Sequence, residues 1–481
     1  MRLRLPVLLA CAVALAGCAR EPARKPDVIV IVVDTLRADR LGLSGYERPT
    51  SPVLDALARD GAAFTDCTAQ SSWTRPSMVS LLHGRYFTAY RDAPDPELAT
   101  LPETFRAAGY RTLGVSANLL LKTQFGFDRG FELYDDRRAN KEPEATMSIP
   151  RTFEQVCADL WPLLDTAEST SAERRPLFLY LQPFDPHAPY FEHAEYDAEL
   201  PTRGIDPRFD PKWHADELAR LGFTGTPEDP TGERALRFCA YQRGLYDQEV
   251  RYADAWLGKL LDGLRVRGLL DRAVVALVSD HGEGLWDHVA WLEPAKQIGA
   301  PPQQLFYQQH GAHLYQEAIR TPFVLWGAGV PKGLRVDAAI ENVDLYPTLL
   351  ELADVPLPAG LHGQSAVPHV RRESPPAREL VYSTVLLGDC VREVASGLVY
   401  IEPSELGRKY RTEPELYDLR SDPRERVNVA SARPADVARL AEALRAWRAK
   451  YPTESRLGEK SEAEIKLMNS LGYSGEHYGG K

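Results

Sequence analysis

The sequence predicts a doubly wound α/β fold: a mostly parallel central sheet with helices on both faces, followed by a smaller C-terminal α+β subdomain. Two observations carry this. Short runs of β-branched and apolar residues alternate with helical patterns, as strands and crossover helices do around a parallel sheet. From about Leu380 the pattern changes to short strands (VYSTVLL, GLVYIE) and one amphipathic helix near residues 435–450. A chain of 481 residues has room for one large core and a smaller one.

The first seventeen residues read as an export signal. Arg2 and Arg4 precede the apolar run PVLLACAVALAG, which is short for a membrane span. Leu15-Ala16-Gly17-Cys18 resembles the bacterial lipobox. That likeness implies cleavage before Cys18, a lipid on its sulfur and a place in the cell envelope, on the periplasmic side of an outer membrane because Ala19 follows. Residues 18–26 read as a short tether, 27–379 as the main domain, 380–451 as the subdomain and 452–481 as a tail.

Val28–Val33 is a continuous β-branched run and reads as a strand buried on both faces. Leu177–Leu181 and Ala273–Val278 read the same way, and helical patterns cover 52–60, 102–108 and 245–264. Proline favours the first helical turn, so SSWTRPSMVSLLHGRY suggests a helix from Pro76 to about Leu82. Thr74 and Arg75 then stand just ahead of its positive end, where an anion is favoured. Residues 189–235, rich in Pro, Asp, Gly and Arg, read as a surface excursion, and 289–309 as an insertion.

Composition is that of a globular protein, 44% hydrophobic and 26% charged, and the net charge of −11 with no basic stripe argues against a nucleic-acid partner. Cys67, Cys157, Cys239 and Cys390 fit neither a zinc-ligand spacing nor a dense disulfide framework.

Each strand ends in polar chemistry: Asp34-Thr35, Asp185-Pro186-His187 and Asp280-His281. Ligands of open α/β sheets bind beyond the carboxyl ends of the strands, so these residues can meet in one crevice. Carboxylates with one imidazole suit a divalent cation: Ca²⁺, Mg²⁺, Mn²⁺ or Zn²⁺.

Several strings, in order, resemble the sulfatase family of the alkaline-phosphatase-like superfamily. They are VIVIVVDTLRADRLGLSGY, TRPSMVSLLHGRY, LPETFRAAGYRT, GFDRGFE, FDPHAPY, LYDQEVRYAD, VVALVSDHGE, HGAHLYQEAIRTPFVLW and ELYDLRSDPRERVNVA. The resemblance places Thr74 at the family's nucleophile, a cysteine or serine normally oxidised to formylglycine. Threonine cannot become that aldehyde, so no formylglycine is expected, and Met78 stands at the motif's arginine. A threonine hydroxyl beside a metal remains a competent nucleophile, and superfamily phosphodiesterases and phosphoryl transferases use one.

By the same resemblance Asp34, Asp280 and His281 hold one divalent metal ion, Ca²⁺ foremost by family, with the Thr35 and Thr74 oxygens as additional donors. His187 contacts the ester oxygens. His310 protonates the leaving group, with His313 as its rival, and Asn118 lies among the substrate-binding residues. Asp39 reads as the cap of the turn after it, and His288 as a surface residue or one behind the site. The implied partners are an anionic ester (a sulfated or phosphorylated glycan, lipid or small molecule) and a membrane through the N-terminal lipid. The implied activity is metal-dependent hydrolysis of sulfuric or phosphoric esters. A phosphodiester transferase and an inactive metal-binding surface lipoprotein are the alternatives.

Overall fold

The computed structural model describes residues 25–87, 93–137, 151–169, 175–202, 206, 208–223, 229, 231–289, 305–307 and 309–452. Cys18, the leader, most of the tether and nearly all of the tail lie outside them. The β-branched run forms β1 (Asp27–Val33), near the middle of an eight-stranded sheet. The others are β2 (Ala62–Thr68), β3 (Arg111–Ser116), β4 (Leu133–Asp135), β5 (Leu177–Gln182), β6 (Ala273–Ser279), β7 (Arg320–Gly327) and β8 (Leu334–Glu341). Their order is β4-β3-β5-β1-β6-β7-β2-β8, with β7 antiparallel to both neighbours and every other pair parallel.

The alternation of β1 explains why it is apolar throughout. Ile29, Ile31 and Val33 face one core, packed by α1 (Pro52–Arg59), α4 (Phe153–Ser169) and α6 (Glu233–Val266). Val28, Val30 and Val32 face another, packed by α2 (Thr74–His83), α3 (Leu101–Ala107) and the helix Leu345–Leu352. Burying each such side chain contributes about 1.5–3 kcal/mol. Val33 pairs with Ser279 and Ile31 with Leu181, so β1, β5 and β6 end at the same edge of the sheet.

The subdomain is an antiparallel sheet of β9 (Leu380–Val385), β10 (Gly388–Glu393), β11 (Leu398–Pro403) and β12 (Glu415–Asp418), in the order β12-β11-β10-β9. Leu440, Leu444 and Trp447 of the helix Pro434–Lys450 close it against Val391, Leu398 and Tyr400.

Two expectations need correction. Helix α2 begins at Thr74, two residues before Pro76, with Trp73 as its N-cap. Thr74 therefore belongs to the first turn, where proline is still tolerated because early N–H groups lack intrahelical acceptors. The stretch 189–235 is not merely a surface excursion. It contains α5 (Pro211–Arg220), and Asp206 is fully buried between Arg243 (2.5 Å) and Arg40 (2.9 Å). Cys67, Cys157, Cys239 and Cys390 are free, buried thiols. No helix of the described residues is long and apolar enough to cross a membrane.

Candidate active site

The ends of β1 and β6 build the centre. Asp34, Thr35, Asp280 and His281 are fully buried, and one ligand atom each from Asp34, Asp280 and His281 lies within 4.8 Å of the others. The backbone folds tightly to allow this. Thr35 adopts a left-handed conformation (φ 52°), its N–H donates to Asp280 Oδ1 (3.2 Å), and its carbonyl accepts from Tyr246 of α6 (2.7 Å). At Gly282 a Cβ would collide with the Glu317 carbonyl, so only glycine lets the chain after His281 pass so close.

Helix α2 is tied to the same point. Ser77 Oγ donates to the Asp280 carbonyl at 2.6 Å, which sets Thr74 opposite His281. The His281 Nδ1–H donates to the Gly282 carbonyl at 2.8 Å, so Nε2 carries the lone pair. Thr74 Oγ therefore donates to His281 Nε2 at 3.1 Å. Gly84, left-handed at φ 60°, ends the helix.

Asp34 is held by Asn118, whose Nδ2 donates to Oδ2, and by Gln182 at 3.4 Å. Asn118 Oδ1 also accepts the Leu120 N–H at 2.8 Å, so this residue orients a carboxylate inside the site. His310 reaches the centre: its ring lies 4.3 Å from that of His281 and 5.0 Å from that of His187, centroid to centroid. His313 turns away towards Gln309 and the Tyr307 ring. His187 donates from Nδ1 to the Ala188 carbonyl at 2.6 Å. Asp185, by contrast, accepts the Phe153 N–H at the start of α4 (2.6 Å) and serves that helix end.

Sequence reasoning missed Glu283. It is fully buried, and its Oε1 lies 2.9 Å from His310 Nδ1. Only the distant pairing of residues 283 and 310 reveals it. Gln182 and Tyr246 were missed for the same reason.

Two other readings change. Asp39 caps no turn; it pairs with Arg37 (2.8 Å) and Arg208 (2.9 Å). His288 is buried and pairs with Glu317 at 2.6 Å. Met78, at the place of the motif's arginine, is fully buried in apolar core. Arg75 Nε donates to the Leu120 carbonyl at 3.0 Å, and its guanidinium lies 3.7 Å from the Phe125 ring centre.

The electrostatics are those of a cation site. Burial, and then Asp280, push Asp34 well above the usual carboxylate range, while burial pushes Asp280 up to about 7. Burial lowers His281, lowers His187 to about 3 and raises Glu283 to about 7. Asp34 Oδ1, Asp280 Oδ2 and Thr35 Oγ are buried with no hydrogen-bond partner. Such atoms are costly unless another group takes their lone pairs. Two carboxylates, an imidazole and an unpaired hydroxyl fit one divalent ion.

A mostly parallel sheet whose strand ends converge on such a trio, with a hydroxyl at the adjacent helix start, defines an α/β ester hydrolase of the alkaline-phosphatase-like type. The chain belongs to the sulfatase family: the family's profile, described as "Sulfatase", matches residues 26–355. The profile "N-sulphoglucosamine sulphohydrolase, C-terminal" matches residues 306–450. Arylsulfatase K of Bos taurus is 24% identical over 489 residues, covering 93% of this chain and 86% of the relative. The phosphonate monoester hydrolase of Agrobacterium radiobacter superposes with a TM-score of 0.67 at 20% identity, covering 89% of this chain and 96% of that one. A third chain, solved in complex with its substrate D-glucosamine-2-N,6-O-disulfate, gives 0.64 at 16% identity, covering 89% and 98%. Sulfatases are metal-dependent hydrolases, and this chain is a sulfatase-like ester hydrolase.

Proposed function

We propose that the protein hydrolyses anionic sulfuric or phosphoric esters with Thr74 as its nucleophile, without formylglycine. The observation that carries this reading is the Thr74 hydroxyl, 3.1 Å from His281 Nε2 in the first turn of α2. Asp34, Asp280 and His281, with the Thr35 hydroxyl, would hold one divalent ion, which when bound supplies positive charge to the ester oxygens and the nucleophile. The imidazole in this donor set favours Mn²⁺ or Zn²⁺ over the Ca²⁺ that family likeness suggests.

The remaining steps belong to the protein. Thr74 Oγ attacks the sulfur or phosphorus as the bond to the leaving oxygen breaks, and the Thr74 proton passes to solvent. His310, held by Glu283, gives a proton to the departing oxygen, and His187 stands beside it to bind the ester oxygens. Water then attacks the central atom, the bond to Thr74 Oγ breaks with a proton returned to that oxygen, and sulfate, a phosphate or a phosphonate is released. A hydrated formylglycine can expel sulfate by re-forming its carbonyl, whereas a threonine ester needs attack at the central atom. That difference favours phosphodiesters and phosphonate monoesters, the second being the substrate class in the name of the Agrobacterium radiobacter neighbour. A transferase would share the covalent step and differ only in the acceptor. Sulfated glycans, like the glucosamine disulfate of the third chain, are the alternative substrates.

The metal-replete enzyme should be assayed on 4-nitrophenyl sulfate, 4-nitrophenyl phosphate, bis(4-nitrophenyl) phosphate and 4-nitrophenyl phenylphosphonate. Thr74→Ala should abolish turnover on the best of these, and Thr74→Ser should retain it. Mass spectrometry of quenched wild-type enzyme should find the adduct on Thr74. Full turnover by Thr74→Ala would show that water attacks directly. The export reading extends the proposal: Cys18 carries a lipid, and the enzyme works at the periplasmic side of the envelope.

A further inference from the structure

A cavity of about 450 Å³ lies apart from the catalytic crevice, where the subdomain meets the catalytic domain. None of Asp34, Thr74, His187, His281 and His310 lines it. Six arginines do, against three acids, in a chain whose net charge is −11. The fold gathers them from distant segments. Arg37 follows β1, Arg208 precedes α5, Arg320 and Arg335 belong to β7 and β8, and Arg424 and Arg426 lie beyond β12.

The acids do not match all of this charge. Arg37 is satisfied by Asp39 (2.8 Å), Asp287 (2.5 Å) and the Glu283 carbonyl (3.0 Å), and Arg243 shares Asp287 at 3.0 Å. Glu317 is taken by His288 at 2.6 Å, and Arg335 pairs with Asp337 at 3.0 Å. Arg320 donates to the Thr65 carbonyl at 2.7 Å but meets no carboxylate among the described residues. Arg424 is exposed on the cavity wall and forms neither a hydrogen bond nor an ion pair with a described residue. Burial, and then Arg426, depress its guanidinium below the ordinary arginine value; Asp287 opposes this, and Arg243 and Arg208 add to it.

The neighbours of Arg424 are held in place before any ligand arrives. Arg208 bonds Asp39 through one Nη (2.9 Å) and lies 5.0 Å from the Tyr46 ring centre. Arg426 bonds Asp210 through one Nη (3.0 Å) and lies 4.3 Å from the Trp213 ring centre. In both, the other side-chain N–H groups bond no described residue and remain for a ligand. Glu425, between Arg424 and Arg426, is buried and accepts the Gln316 N–H at 2.7 Å, which anchors the turn that presents both arginines. A guanidinium fork grips two oxygens of a sulfate or phosphate at once, and a concave wall of one sign concentrates such ions. The cavity has the size of a small-ligand pocket, which a flat membrane surface cannot enter.

We propose that this cavity is a second anion-binding site, in which Arg208, Arg424 and Arg426 take the clustered oxyanions of a small polyanion. The ligand class is a sulfated oligosaccharide or a polyphosphate, which share that chemistry. Binding there requires neither Thr74 nor the cation of the hydrolytic centre.

The test is isothermal titration calorimetry with two probes, inorganic pyrophosphate and a sulfated heparin tetrasaccharide. The full-length protein is first stripped with a chelator, so that no cation in the hydrolytic centre competes for the anion. Wild type should bind at least one probe once per chain, and Thr74→Ala should bind it equally well. Arg424→Gln should weaken binding roughly tenfold or more, the worth of one charge-assisted hydrogen bond, and Arg424→Gln with Arg426→Gln should abolish it. Arg424 bonds no described residue, so Arg424→Gln should keep the wild-type Tm, and the metal-replete variant should turn over 4-nitrophenyl esters as wild type does. Tighter binding of the tetrasaccharide identifies glycan sulfates as the ligand, and tighter binding of pyrophosphate a polyphosphate. No binding of either probe by wild type, or binding that survives the double variant, overturns the proposal. Loss of turnover in step with loss of binding would place the probe in the hydrolytic centre and overturn it as well.

Discussion

Glu283 offers a sharp test of how proton transfer is organised. Its carboxylate is fully buried and bonds His310 Nδ1 at 2.9 Å, on the side of the ring opposite the nitrogen that can serve a leaving group. Burial first, then His281 and His313, lower His310 well below its ordinary value; the Glu283 bond fixes the ring's direction and opposes that lowering, so that a proton can be held there and delivered. A buried hydrogen bond to a charged partner contributes about 1.5–3 kcal/mol. If that stabilisation acts in the transition state, its loss slows the reaction roughly ten- to hundred-fold, since about 1.4 kcal/mol is a factor of ten. Glu283→Gln keeps the shape and removes the charge; Glu283→Ala removes both. The assay compares kcat on a 4-nitrophenyl ester, which leaves without help, with kcat on an alkyl ester of the same acid, which requires protonation. The alkyl ester should show the full loss and the nitrophenyl ester little. Equal losses on both would mean that Glu283 only maintains structure, and the assigned role of His310 would fall with it.

Three further outcomes can be checked directly. Asp280→Asn removes a charged donor from the β6 end, so metal affinity should drop by more than the roughly 10–100-fold typical of an outer-shell partner, measured by competition with a chelator. His83 is buried, accepts the Asp95 N–H on Nε2 at 3.0 Å, and is lowered by burial from 6.5 to about 4. The folded state thus binds fewer protons: the contribution is complete above pH 6.5 and lost as pH falls towards 4. It amounts to about 3 kcal/mol, which His83→Gln should flatten in urea denaturation across that window. Mature protein from an exporting bacterial host should begin at a diacylglyceryl-modified Cys18 and partition with membranes; an unmodified N-terminus at any other residue, by intact mass, would refute the lipoprotein reading.

What could be read in the sequence was what local chemistry controls. Val28–Val33 announced a central strand because both faces are buried, and the residues after β1 and β6 announced the centre because ligands gather at strand ends. Strand β10 was hidden by its composition. Asp389 and Arg392 make GDCVRE look exposed, yet both are buried, matched by Arg448 and by Asp66 at 2.7 Å. The start of α2 was hidden for another reason: Trp73 supplies no capping side chain, and the anchor is the Ser77 bond to Asp280, two hundred residues away in sequence. Glu283 and Gln182 escaped because their partners are set by the fold rather than by spacing.

The substitution at Met78 bears on the chemistry as strongly as the one at Thr74. Met78 is fully buried in the core cluster that also holds Val79, Leu81 and Phe323, so that position supplies no charge to the site. Arg75 is directed to the Leu120 carbonyl and the Phe125 ring. With Thr74 as the proposed nucleophile, stabilisation of the charge that develops on it and the ester would fall to the positive end of α2, to the cation that Asp34, Asp280 and His281 can hold, and to His187 and His310. A site with fewer fixed cations depends more steeply on its metal. Stripping the ion should cost this enzyme more turnover than it costs a relative that keeps the motif arginine, and Met78→Arg should disrupt the core before it restores any activity. A Met78→Arg protein that folds normally and gains turnover would show that the helix can rotate its second turn into the site, contrary to the packing seen around residue 78.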